Sequence, residues 1–242
     1  MLSPQAANKW QWAKILDANA AGERRADDNP CCLAFCRDRL AVAYPKSGVK
    51  IWLFVKGTWS PQRSINRQNV TSIKFVEDGE GLIGGTADGV LWHCQVPNGT
   101  LRAYTFMRTK ISALDIDPKG THALAAQSAG CILVNVGDGD GKGSVVQAYS
   151  VDDAEVQNAA AYEFGALFAA RGACLLFGTA QGCIMVWDRG TRGVVHGLYL
   201  GEEHTVQAVA SFDGGQAVDG HVLAGTRQGQ LTWFPQPPVD GA

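Results

Sequence analysis

The chain has 242 residues, 46% hydrophobic and 18% charged, with a net charge of −2. That composition supplies a sizeable core and makes disorder not the default, and so small a charge excludes long-range recruitment to nucleic acid or an anionic membrane. Gly (29) far outnumbers Pro (9), which favours many tight turns over a flexible linker.

Residues 1–29 read as an N-terminal extension or closing segment. Trp10, Trp12, Ile15 and Leu16 fit a short amphipathic helix or an irregular strand equally well. Lys9, Lys14 and Asp17 interrupt any secretory-type apolar run, and no stretch reaches the roughly 18 apolar residues of a membrane helix. The seven cysteines are odd in number, and Cys94, Cys131, Cys174 and Cys183 lie in strand-like runs. They read as small apolar residues in a reducing compartment, which predicts an intracellular, cytoplasmic or nuclear protein.

Residues 30–235 read as repeated units, and 236–242 as a tail. The first unit, roughly 31–65, predicts strands near 31–36, 40–44 and 49–55 and a weak fourth. The second, 69–104, is the clearest. It divides into four short apolar strands at Asp78-Gly79, Asp88-Gly89 and Asn98-Gly99, dipeptides that accept the positive φ of a tight hairpin. A third unit spans roughly 110–151, a fourth 155–200 and a fifth 204–234. One such sheet is apolar on both faces and needs copies of itself to bury them. The glycines Gly48, Gly89, Gly130, Gly182 and Gly229 recur at roughly 41–52 residues, the period of propeller blades. Gly-Thr-x-x-Gly stands at 85–89, 178–182 and 225–229. Downstream lies an apolar strand carrying Trp52, Trp92, Trp187 or Trp233.

At these residues the chain resembles the WD-repeat β-propeller family. Asp117-Pro118-Lys119-Gly120 resembles its first turn and Trp187-Asp188 its signature dipeptide. The resemblance covers roughly residues 30–235. It implies an all-β fold, a propeller of about five four-stranded blades, incomplete or open relative to the usual seven. It also implies a non-enzymatic protein–protein interaction scaffold. The family's hydrogen-bonded set of His, Ser or Thr, Asp and Trp is matched only in parts, by Thr86 and Asp88, by Thr179 and Trp187, and by His204 and Thr226; Asp188 is a repeat position through the signature dipeptide. Gln181 and Gln228 stand where the set has Asp. Pro235, Pro237 and Pro238 oppose a fourth strand in the last unit. Either the segment around Trp10–Leu16 closes the ring there, or a partner or further blades cover an open end. An open end baring roughly six apolar side chains forgoes ~9–18 kcal/mol of burial, against a domain stability of ~5–15 kcal/mol.

Residues with possible chemistry read as structural. The loop 137–144 lacks the Gly-Lys-Ser/Thr of a phosphate loop and the ligand pattern of an EF-hand, and reads as a hairpin loop. His93 and Cys94 are adjacent on a strand and point to opposite faces. Cys31, Cys32 and Cys36 lack a second metal-ligand cluster. Asp115 and Asp117 share a face and suit acid–base work, yet Asp117 before Pro118 reads as an ordinary turn opener. His196 and His221 show no recognisable partners. No catalytic residue, metal or cofactor is expected. The turns between middle strands place Lys46, Asp88, Gln181, Arg227 and Gln228 on one face, with Arg67, Arg108 and Glu202 on nearby connections. Mixed polar groups on a rigid ring suit a protein or peptide partner rather than nucleic acid or a membrane. Two alternatives stand beside the scaffold: a propeller hydrolase or lactonase with a metal in its channel, and a fragment of a longer propeller without independent function.

Overall fold

The computed structural model describes residues 2–5, 9–12, 27–96, 99–127, 130–137, 143–150, 165–179, 182–201, 204–214 and 220–236. Among them there is no α-helix. Strands β1 (Leu2–Gln5) and β2 (Lys9–Trp12) pair with each other. Then come five antiparallel sheets, each a meander in chain order. The first holds β3 (Cys32–Cys36), β4 (Arg39–Tyr44), β5 (Gly48–Val55) and β6 (Thr58–Pro61). The second holds β7 (Val70–Val76), β8 (Gly81–Thr86), β9 (Val90–Gln95) and β10 (Leu101–Phe106). The third holds β11 (Ala113–Ile116), β12 (His122–Gln127), β13 (Gly130–Asn135) and β14 (Ser144–Ser150). In the fourth are β15 (Ala166–Ala169), β16 (Cys174–Gly178), β17 (Cys183–Asp188) and β18 (Val194–Tyr199). The fifth has three strands among the described residues, β19 (Val206–Phe212), β20 (His221–Thr226) and β21 (Leu231–Pro235).

The first strand of each sheet packs on the first strand of the next, from β3 through β7, β11 and β15 to β19. Polar side chains stitch these inner strands together. The Ser72 hydroxyl accepts the Leu114 N–H (3.0 Å), Asp115 accepts the Phe168 N–H (2.8 Å), and Ser211 donates to the Phe168 carbonyl (3.0 Å). Between successive sheets lie four apolar layers. Trp92, Leu82 and Ile73 meet Ile51 and Ala41; Ile83 and Leu91 meet Leu114 and Val134; Leu133 and Tyr149 meet Phe177 and Trp187; Leu176 and Val186 meet Val222 and Ala224. The three middle sheets thus bury both faces against like sheets, as their two-sided apolar pattern requires, and the first and fifth bury one each.

Register decides which side chains enter these layers, because a one-residue slip moves a side chain to the other face. Gly85 pairs with Leu91 and Gly178 with Ile184, but Ala126 pairs with Cys131, one residue sooner. The shorter turn sends Cys131 and Leu133 toward the following sheet, whereas Val90 and Trp92 face the preceding one. Trp92 and Trp187 stand three and five residues after their glycines, and Trp233 stands four after Gly229. Trp233 therefore faces outward. With Phe212 and Leu231 it forms an exposed terminal face (66%, 57% and 66% exposed). The other terminal face bares Leu33 and Phe35 (68% and 58%), beside Phe54 and Trp59. Among the described residues no apolar layer joins the first sheet to the fifth, and β21 pairs only with β20.

The repeated glycines have an observable cause. Gly89 and Gly182 have φ of +79° and +69°, and a Cβ on either would overlap carbonyls of the next connection, those of Met107 and Gly201. Gly229 shares the conformation (φ +85°) but has open space around it. Gly229→Ala is therefore expected to cost only the left-handed backbone penalty, about 1 kcal/mol, and Gly89→Ala clearly more. Urea denaturation of the two variants checks the order.

Candidate interaction surface

Alternating strand direction puts the turns between second and third strands at one end of every sheet, and the remaining turns at the other. The first end carries the residues singled out for binding. Lys46 pairs with Asp27, and its N–H donates to the Asp28 carboxylate (3.1 Å). Asp88 accepts from the Arg67 guanidinium at 2.9 Å, which ties a turn to the preceding connection. Arg227 and Gln228 are exposed, and the Arg227 N–H donates to the Thr205 carbonyl (3.0 Å). Arg108 is exposed on the connection before β11. Gln181 and Glu202 lie outside the described residues.

Three threonines stabilise the turns that present this end. Thr86, Thr179 and Thr226 are buried, and each accepts a backbone N–H from four residues on, from Val90 (2.9 Å), Cys183 (3.2 Å) and Gln230 (3.1 Å). Trp187 packs between Tyr149 and Phe177, with ring centroids 6.1 and 5.8 Å away. Asp188 caps the next turn by accepting the Thr191 N–H (2.6 Å); that bond holds its carboxyl below the ordinary range. His204 is partly buried, and its Nδ1 has no hydrogen-bond partner.

The opposite end holds a cavity of about 600 Å³ between the second and third sheets. Val76 and Ile83 contribute apolar surface, and His93 stacks parallel to Tyr104 with centroids 5.3 Å apart. Glu77, Arg102 and Lys119 bring charge to its lining. His93 Nε2 is buried without a hydrogen-bond partner, 3.7 Å from the Glu77 carboxylate. Burial lowers the His93 pKa, Glu77 opposes that shift and Arg102 adds to it, so the ring is neutral near pH 7.

Neither a family model nor a curated protein matches the chain. Solved structures do. The β-propeller domain of Myceliophteria thermophila Cps50 (Swd1) superposes with a TM-score of 0.67 at 17% identity, over 89% of this chain and 70% of that one. The computationally designed Ika8 protein gives 0.56 at 18% identity, over 84% of this chain and 57% of that one. At such identities the likeness shows the fold alone. The chain is a five-bladed β-propeller.

Within the propeller, the residues with possible chemistry are held in structural bonds. Asp115 pairs with Lys74 (3.0 Å) besides accepting from Phe168. Asp117 opens its turn as expected, its carbonyl accepting the Gly120 N–H (2.9 Å), and its side chain does more. It is buried and accepts the N–H groups of Thr121 (2.8 Å) and His122 (3.0 Å), the Thr121 hydroxyl (3.1 Å) and Arg189 of the next blade (3.4 Å). His221 makes a T-shaped ring contact with Trp233, the centroids 6.5 Å apart. His93 and Cys94 face different blades, and all seven cysteines are free thiols. Among the described residues no group of three His, Cys, Asp or Glu side chains is placed to hold a metal ion, and no helix is long and apolar enough to cross a membrane. The cavity was not legible beforehand, because its lining comes from two blades and from several separate turns and strands.

Proposed function

We propose that this propeller is of the WD-repeat type and acts as a non-enzymatic scaffold that binds an intracellular protein or peptide. One observation carries this reading. Rigid turns, braced by buried threonines and by glycines packed on the next connection, end in exposed, chemically mixed side chains. A surface held so firmly loses little conformational freedom on binding. Lys46, Asp88, Gln181, Arg227 and Gln228 are the proposed contact residues. The experiment is affinity capture from cell extract with the full chain and with a Lys46→Glu/Arg227→Glu variant of equal melting temperature. A reproducible partner is expected, retained about fivefold less by the variant, since a rim contact contributes roughly 1 kcal/mol. Capture of no reproducible partner, or equal retention by both proteins, overturns the reading.

A second reading concerns the two bare terminal faces. Their exposed Leu33, Phe35, Phe212, Leu231 and Trp233 favour a partner or further blades that complete the ring.

A further inference from the structure

We propose that the cavity between the second and third blades receives an acidic side chain of a partner protein, with its carboxylate held between Arg102 and Lys119. The inference rests on the scaffold reading and gives it a second, separate site, at the opposite end of the blades from Lys46 and Arg227. The volume of about 600 Å³ suits a side chain and its neighbours. Arg102 is paired across the ladder with His93, and Lys119 projects from the turn of the adjoining blade. Both cations are exposed, and neither forms an ion pair among the described residues. They outnumber the one lining carboxylate, Glu77, so the site favours a negative group. Being exposed, these two lining cations are open to a side chain arriving from outside on another chain.

The buried wall supplies the second requirement. The His93 side chain is only 10% exposed, yet its Nε2 has no hydrogen-bond partner, and Glu77 at 3.7 Å is beyond hydrogen-bond reach. Buried polar atoms are ordinarily satisfied, and an orphan one is destabilising. A polar atom of an incoming segment completes it. Val76 and Ile83 beside it accept an apolar neighbour of the acidic residue. The recognised pattern is therefore an Asp or Glu flanked by an apolar side chain.

Peptide display on the immobilised full chain tests this. The expected result is enrichment of peptides carrying an acidic residue beside an apolar one. Retention of an enriched peptide should fall at least tenfold in Arg102→Glu/Lys119→Glu, whose exposed substitutions leave the melting temperature unchanged, and should stay the same in Lys46→Glu/Arg227→Glu. Enriched peptides without acidic residues, or binding that survives Arg102→Glu/Lys119→Glu, overturns the proposal. Binding lost only in Lys46→Glu/Arg227→Glu also overturns it while leaving the scaffold reading intact. Enrichment of nothing counts against both. Millimolar glutarate is the control for a free small carboxylate. Failure to displace the peptide is expected, and full displacement would move the assignment from a protein segment to a small molecule.

Discussion

Trp92→Ala is expected to lower the unfolding free energy by about 3–5 kcal/mol, and Trp233→Ala by no more than about 0.5 kcal/mol. The two tryptophans lie on corresponding third strands, three and four residues after the turn glycine. Their environments differ completely. Trp92 is fully buried between the first and second blades, and its ring lies so close over Gly84 that a Cβ there would overlap it. Removing the indole leaves a void that two ladders of paired strands hold open. Trp233 is 66% exposed on the outer face of the fifth blade and gives up little on truncation. Since a domain of this kind holds only ~5–15 kcal/mol in total, the first loss takes a large share. Trp92→Phe separates packing from polarity. The buried indole N–H has no acceptor, so Phe removes an unsatisfied donor while keeping most of the ring, and a loss below about 2 kcal/mol is expected. Urea denaturation with unchanged m-values provides the measurement. A large loss for Trp233→Ala would mean that its face is covered in solution.

Asp117→Ala is expected to cost about 3 kcal/mol at pH 7, because it leaves several partly buried donors and an arginine without their acceptor. Burial alone pushes the Asp117 pKa up. The His122 and Thr121 N–H groups and side chains together outweigh that and hold the carboxyl below its ordinary value. The consequence for pH has a definite sign. A carboxylate with a depressed folded pKa contributes stability that is complete above its unfolded value, about 3.9, and lost as pH falls through the folded one. The stability gap between the parent and Asp117→Asn should therefore be full at pH 7 and shrink below about pH 4. Melting temperatures of both proteins at pH 7 and pH 3 check it, and an equal gap at the two pH values would contradict it. Arg189→Ala should cost less, about 1 kcal/mol. Its bond to Asp117 is the longest of the set, and its guanidinium also lies over the Phe168 ring at 5.5 Å.

Much of the architecture was legible in the chain because its signals are local. Asp88-Gly89 and Lys119-Gly120 mark turns by backbone chemistry that needs no distant contact. Thr86, Thr179 and Thr226 stood in register because each bonds within its own turn. The turn at Ala170-Arg171-Gly172 was harder to see. It repeats the consecutive positive φ of Glu77-Asp78-Gly79, but with an alanine and an arginine that rarely announce such a bend. The candidate interaction surface was legible only as a ring of turns.

The amino-acid order by itself determined that there are five like units, where most strands turn, and that every sheet carries apolar residues on both faces. Tertiary structure alone decided which parity of residue faces which neighbour, and so why Trp92 is core while Trp233 is surface. It also decided that Asp117 would meet Arg189 from the next blade, and that Val76, His93, Arg102 and Lys119 would enclose one cavity. The reason is physical. Turns are settled by φ preferences over a few residues, whereas register, burial and cavities depend on how whole sheets stack against one another.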